Sequence, residues 1–135
     1  MTVQYFELAE YDQVNATFAK VVEWKAEGAI TSQTPLFSLI GEELANAAMA
    51  AHLPLLAFSD TFVLAGALMS YGASLRDVFM SGGPLVKRIL AGERPGEIPV
   101  VNPTKFELVV NLKTAAALGL ILSPQFLTTA DRLIE

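Results

Sequence analysis

The run Pro54-Leu-Leu-Ala-Phe58, followed at once by Ser59-Asp60, restricts this chain more than any other stretch. An apolar segment this short, bounded by a proline and a polar pair, fits a strand buried on both faces, and such strands belong to parallel sheets covered by helices. Ser59 and Asp60 then stand just past the carboxyl end of the strand, the edge at which open α/β sheets bind ligands. Asp60 is also placed to cap a helical turn starting at Thr61. The chain is expected to return from Leu64 to Leu68 through Gly66, with Ser70-Tyr71-Gly72 as a second turn before a helix that begins at Ser74.

The residues before this stretch repeat the same alternation. Val3 to Leu8 alternates weakly and predicts a first strand. Val14, Phe18, Val21 and Val22 recur at helical spacing, with Asp12 and Asn15 at the capping end, so a helix is expected as far as Gly28. Phe18 and Trp24 are expected in the core. Ala29 to Gln33 predicts a short strand whose carboxyl end carries Ser32, Gln33 and Thr34 before Pro35. Ser38 is expected to cap a helix with Leu39, Ile40, Leu44, Ala48 and Met49 inward, stopping near His52 and Pro54. Strands and helices alternating at this spacing give a parallel sheet with right-handed crossovers. The expected class is α/β, a three-layer Rossmann-like (flavodoxin-like) parallel sheet. At 135 residues the chain suits one domain rather than two.

Downstream, Ser74 with Asp77 three residues on opens a helix that places Leu75, Val78, Phe79, Val86, Ile89 and Leu90 on one face. Gly82-Gly83-Pro84 predicts a kink or break there, because a proline inside a helix costs about 3 kcal/mol. Gly92 to Pro99 reads as a surface loop. Phe106 to Val110 is expected as the last strand, and Thr114 to Leu118 as a short helix closed by Gly119. Ser123 and Pro124 should start a terminal helix with Phe126, Leu127, Ala130, Leu133 and Ile134 inward.

Several function classes are disfavoured by composition. A net charge of −5 with scattered Lys and Arg argues against a nucleic-acid partner. With no cysteine and one histidine, His52, the chain has no thiol chemistry and too few ligands for a transition-metal site. Ser59 and Ser70 lack the strand-turn-helix motif that exposes a nucleophile, and no glycine-rich loop has phosphate-binding spacing, so neither enzyme nor cofactor is expected. The sequence is 53% hydrophobic, yet its long uncharged runs are broken by Asn46, His52 and Pro54 or by Gly119, Ser123 and Pro124. Those breaks favour buried core over a membrane span. The amino terminus has no basic region followed by an apolar stretch, so no signal peptide is expected in this chain. What remains are polar turns at Thr31 to Thr34, Ser59 to Thr61 and Ser70 to Gly72. Helix capping and hydrogen bonding to a small polar ligand both account for them, and the residues alone leave the two open.

Longer motifs carry a resemblance. PLLAFSDTFVLAGALMSYGASLRDVF, KRILAGERPGEIPVVNPTKFELVVNLKTAAALGL and SPQFLTTADRLIE resemble the carboxyl-terminal part of a family of ABC-transporter substrate-binding proteins, from about Tyr11 to Glu135. That family has the type I periplasmic binding fold and includes binders of aromatic amino acids. The resemblance implies a non-enzymatic lobe, residues 1–135, of a periplasmic or cell-surface protein that delivers a small-molecule solute such as an amino acid to an ABC permease. The amino-terminal lobe and signal peptide of such a protein are not among these 135 residues, so weak or no binding by the lobe alone is expected. Carried over by motif, Thr34, Ser59, Asp60, Ser70 and Tyr71 become the candidate ligand residues, while Asn111 and Lys113 are structural. Met80-Ser81-Gly82-Gly83-Pro84 departs from the family pattern. The alternatives to this function are a small flavodoxin-like α/β enzyme and a truncated dimeric interaction module. Without a second lobe the apolar face of the helix after Ser74 has nothing to pack on, and a homodimer is expected.

Overall fold

The computed structural model describes residues 2–135. Five strands form one sheet in the order β1 (Ala29–Ile30), β2 (Leu55–Ala57), β3 (Met69–Ala73), β4 (Phe106–Asn111) and β5 (Arg132–Ile134). All neighbours are parallel except β3 and β4, which pair antiparallel. The α/β class is therefore as the sequence implied, with one pair of the opposite sense. The reason lies between them: after β3 the chain leaves the sheet, runs out along a long helix and re-enters at the same edge, where Ser74 N donates to Lys105 O at 3.3 Å.

Helices flank the sheet. A 3-10 turn at Tyr11–Gln13 leads into α1 (Val14–Glu23), and Val14, Phe18 and Val21 are buried at the spacing that predicts this helix. Together with Leu44, Ala45 and Ala48 of α3 (Gly41–Ala50), Leu55 and Ala57 of β2, and Phe62, they form the principal core. The helix α4 (Asp60–Leu64) lies against β2, β3 and β4 and buries Phe62 and Val63. The helix α6 (Leu112–Ala117) begins at Asn111, whose buried side chain accepts from Thr114 N at 3.0 Å and donates to Val63 O at 3.0 Å. Thr114 Oγ1 donates to Gly66 O at 2.9 Å, so the turn after α4 is tied to the start of α6.

Several local expectations fail for identifiable reasons. Residues 2–9 contain no strand. Phe6 and Leu8 still pack on the core, but β1 spans two residues and offers little edge to pair with. Thr34, not Ser38, caps the next helix, because Pro35 is ready-made for a first helical position; the result is a separate short helix, α2 (Pro35–Leu39), which leaves Leu39 exposed. Trp24 is not core but partly exposed, edge-on to Phe6 at 6.2 Å. Ser70-Tyr71-Gly72 is not a turn. It is the middle of β3, held by β2 on one side and β4 on the other. The helix α5 (Leu75–Leu90), capped by Ser74 as expected, runs unbroken through Gly82-Gly83-Pro84. Met80, whose carbonyl loses its donor to the proline, is exposed, so solvent can satisfy that group. Finally, Ser123 and Pro124 do begin a helix, α7 (Pro124–Leu127), but it stops at once and the chain forms β5. There Asp131 N donates to Leu108 O and Asp131 Oδ2 accepts from Leu108 N, both at 2.8 Å, which docks the tail on β4 in place of a longer helix.

Candidate functional site

Because β3 and β4 run in opposite senses, the carboxyl ends of β2 and β3 share an edge with the amino ends of β4 and β5. Polar residues gather there from four places in the sequence: Ser59 and Asp60 after β2, Gly72 to Asp77 through the end of β3, Lys105 and Glu107 at the start of β4, and Arg132 at the start of β5. They line a cavity of about 270 Å³. Two features bring its walls together. Gly72 passes so close to the end of β2 that a Cβ on it would lie 2.0 Å from Phe58 O. The Phe58 ring in turn packs edge-on against Phe62 at 5.0 Å, which fixes the angle between β2 and α4.

Ser59, rather than Asp60, is the N-cap of α4. Its hydroxyl accepts from Thr61 N at 3.4 Å and shares a 3.0 Å hydrogen bond with Thr61 Oγ1, and the residue is buried. Capping by Ser59 frees Asp60, whose Oδ2 accepts from Arg132 Nη2 at 2.6 Å across a separation of 72 residues. The two side chains are 36% and 46% exposed, and a pair this accessible contributes at most about 1 kcal/mol to folding. Lys105 spans a second pair of acids, 2.9 Å from Glu107 and 3.4 Å from Asp77. Glu107 first, and Asp77 next, hold the Lys105 ammonium above its usual pKa. Three acids (Asp60, Asp77, Glu107) and three bases (Arg76, Lys105, Arg132) line the cavity, so the charge of its wall sums to zero.

Three of the five residues expected to meet a ligand, Ser59, Asp60 and Ser70, line this cavity together. Thr34 and Tyr71 do not. Thr34 caps α2, accepting from Phe37 N at 3.2 Å. Tyr71 follows Ser70 on β3, so the alternation of a strand turns it to the opposite face, where it is 60% exposed and stacks on Phe106 at 5.9 Å. Arg132, Glu107 and Lys105 join the site without having been expected there. Arg132 is concealed by the helical spacing of the tail; the signal that reveals it is the charged pair Asp131-Arg132 directly ahead of an apolar pair that can enter a sheet.

A family model described as ABC transporter substrate binding protein matches residues 1–134. The chain belongs to that family. Solved structures similar to this chain include the ABC domain in complex with L-Trp from Streptococcus pneumoniae, with a TM-score of 0.87 and 20% identity over 99% of this chain and 46% of that one. A conserved domain protein from Vibrio cholerae matches with a TM-score of 0.85 and 22% identity, over 93% of this chain and 42% of the other. The ligand-free, open structure of a substrate binding protein with adhesive properties from Clostridium difficile gives a TM-score of 0.65 and 20% identity, over 95% and 42%. At such identities the likeness is one of fold. The chain spans less than half the length of each of these structures. A search of the curated proteins finds no match.

Proposed function

We propose that residues 1–135 form the carboxyl-terminal lobe of the solute-binding component of an ABC uptake system. It takes a small polar solute such as an amino acid into a cleft between lobes and releases it unchanged to a permease, at the periplasmic or cell surface. The observation that carries this reading is the cavity at the shared strand edge, lined by Ser59, Asp60 and Ser70, in a chain of the substrate-binding family. That edge is where open α/β sheets bind ligands. The L-Trp complex of the Streptococcus structure supports an amino acid as the solute class. Thr34, the cap of α2, and Tyr71, on the opposite face of β3, lie outside this proposed site. No residue of the cavity forms a nucleophile-base pair with a histidine, since His52 lies at the end of α3, outside the lining.

Ligand-observed NMR against the twenty amino acids and a set of nucleosides tests this. Of weak or no binding by the lobe alone, the formed cavity favours the first: at least one amino acid should bind the isolated chain, weakly, and its own spectrum should stay unchanged over hours. Binding of nucleosides alone overturns the solute class, and consumption of any ligand overturns the non-enzymatic reading.

We also propose a homodimer. No residue of α5 is buried, although Leu75, Val78, Phe79, Val86, Ile89 and Leu90 make it strongly amphipathic. An apolar helix face without a partner in its own chain favours association.

A further inference from the structure

We infer that Asp60 and Arg132 read the two ends of a zwitterionic α-amino acid head group, with Arg132 taking the carboxylate and Asp60 the ammonium. This rests on the solute-binding reading above and adds to it a residue, Arg132, and a polarity. The two side chains meet through a single contact, Arg132 Nη2 to Asp60 Oδ2, and both remain more than one-third exposed beside the cavity. A guanidinium carries five N–H donors in a planar fork that matches a carboxylate, and one contact leaves most of that fork free. A carboxylate offers about four acceptor positions to the three donors of an ammonium.

Charge balance selects the ligand. A simple carboxylate that engaged Arg132 would draw it from Asp60 and leave that acid without a partner, and a simple amine at Asp60 would strand Arg132. A zwitterion supplies a new partner to each half at once. The rest of the lining points the same way: Lys105 is already shared between Glu107 and Asp77, and the six charged residues of the wall sum to zero. A dicarboxylate or a polyamine would meet as many like charges as opposite ones. Ser59 holds the reader in place, because its hydroxyl caps α4 and lies 3.5 Å from Asp60 Oδ1.

The test is a titration of the ¹⁵N-labelled chain, followed by amide shifts at Ser59, Asp60, Ser70 and Arg132. The probes are L-alanine, L-alaninamide, which lacks the carboxylate, and N-acetyl-L-alanine, which lacks the ammonium. L-alanine should shift these amides, and each one-ended analogue should bind about tenfold more weakly or worse, the loss expected for one charge-assisted contact. Arg132→Gln should remove the preference for L-alanine over L-alaninamide, because the amine then strands no guanidinium. Asp60→Asn should do the same with respect to N-acetyl-L-alanine. Equal binding of all three probes, or L-alanine binding untouched by Arg132→Gln, overturns the assigned polarity and leaves solute binding standing. No shift with any probe overturns both. Because the three-probe comparison is made on the unaltered chain, it decides the point even where a variant folds poorly.

Discussion

Gly72 has no room for a side chain, and His52 has a side chain where glycine would fit better. At Gly72 the obstacle is the backbone oxygen of Phe58, which would lie 2.0 Å from an added methyl group, and backbone at the join of two strands does not yield as a flexible side chain would. Gly72→Ala should therefore cost about 3 kcal/mol, in the range of strong overpacking, and lower the thermal midpoint accordingly. Because β2 and β3 form the cavity walls there, it should also weaken solute binding. His52 and Lys25 are the opposite case. Each holds a left-handed backbone, with φ of 53° and 59°, just past the end of α3 and of α1. At α3, Leu53 N donates to Ala48 O and His52 N to Met49 O, the paired bonds of a helix end that ordinarily uses glycine. His52→Gly and Lys25→Gly should each stabilise by about 0.5–1 kcal/mol, read by urea denaturation. His52 is legible in the sequence as a helix-end residue. The tightness at Gly72 is not, because it depends on a strand pairing that no local pattern announces.

At the scale of elements, legibility follows length. The helices α1 and α5 and the strand β4 have enough periodic positions to declare themselves, and the capping residues Ser74 and Ser123 mark helix starts correctly. β3 and β5 do not, since Ser70-Tyr71-Gly72 has turn composition and Leu133-Ile134 continues a helical spacing from Phe126. Only tertiary bonds, such as those between Asp131 and Leu108, decide for a strand. The end of α5 carries its own fastening. Arg88 Nε donates to Glu93 Oε2 at 2.6 Å, and Nη2 donates to the other carboxylate oxygen. This hydrogen bond, and then the nearby positive charge, hold the Glu93 carboxyl below its usual pKa. A depressed folded value means that the unfolded chain takes up the proton more readily. The contribution is therefore present above the ordinary carboxylate range and is lost as pH falls through the lower folded value. Thermal midpoints of the wild type and Glu93→Gln should differ at neutral pH and converge in acid. A difference that persisted in acid would mean that the fastening owes nothing to the ionised carboxylate.

For the whole molecule, the α/β class follows from the order of apolar runs and turns, and the antiparallel step is hidden because the excursion between β3 and β4 is long enough to pass for a crossover. That excursion also bears on the homodimer proposed above. The helix α5 leaves the sheet, buries none of its residues and turns Phe79 and Leu90 outward at 80% and 83% exposure, while Val86, Ile89 and Leu75 continue the stripe. Covering such a stripe favours association at about 25 cal/mol per Å² of apolar area buried, set against the roughly 4–15 kcal/mol that joining two bodies costs, and a pairing in which both partners contribute the stripe buries it twice. A two-fold pairing of α5 with α5 does this with one self-complementary patch. Gly82 and Gly83 lie midway along the helix, and a Cβ added to either would meet nothing within 4 Å, which lets two such helices approach closely at their crossing point. Sedimentation equilibrium at micromolar concentration should thus give twice the chain mass of 14.5 kDa. Phe79→Asp with Leu90→Asp should return it to a monomer with an unchanged far-ultraviolet spectrum, because neither side chain supports the fold of its own chain. Gly83→Leu separates the crossing from mere stickiness: it adds apolar surface to the same helix yet blocks close approach, so dimerisation should weaken. A tighter dimer from Gly83→Leu would place the contact elsewhere on the helix.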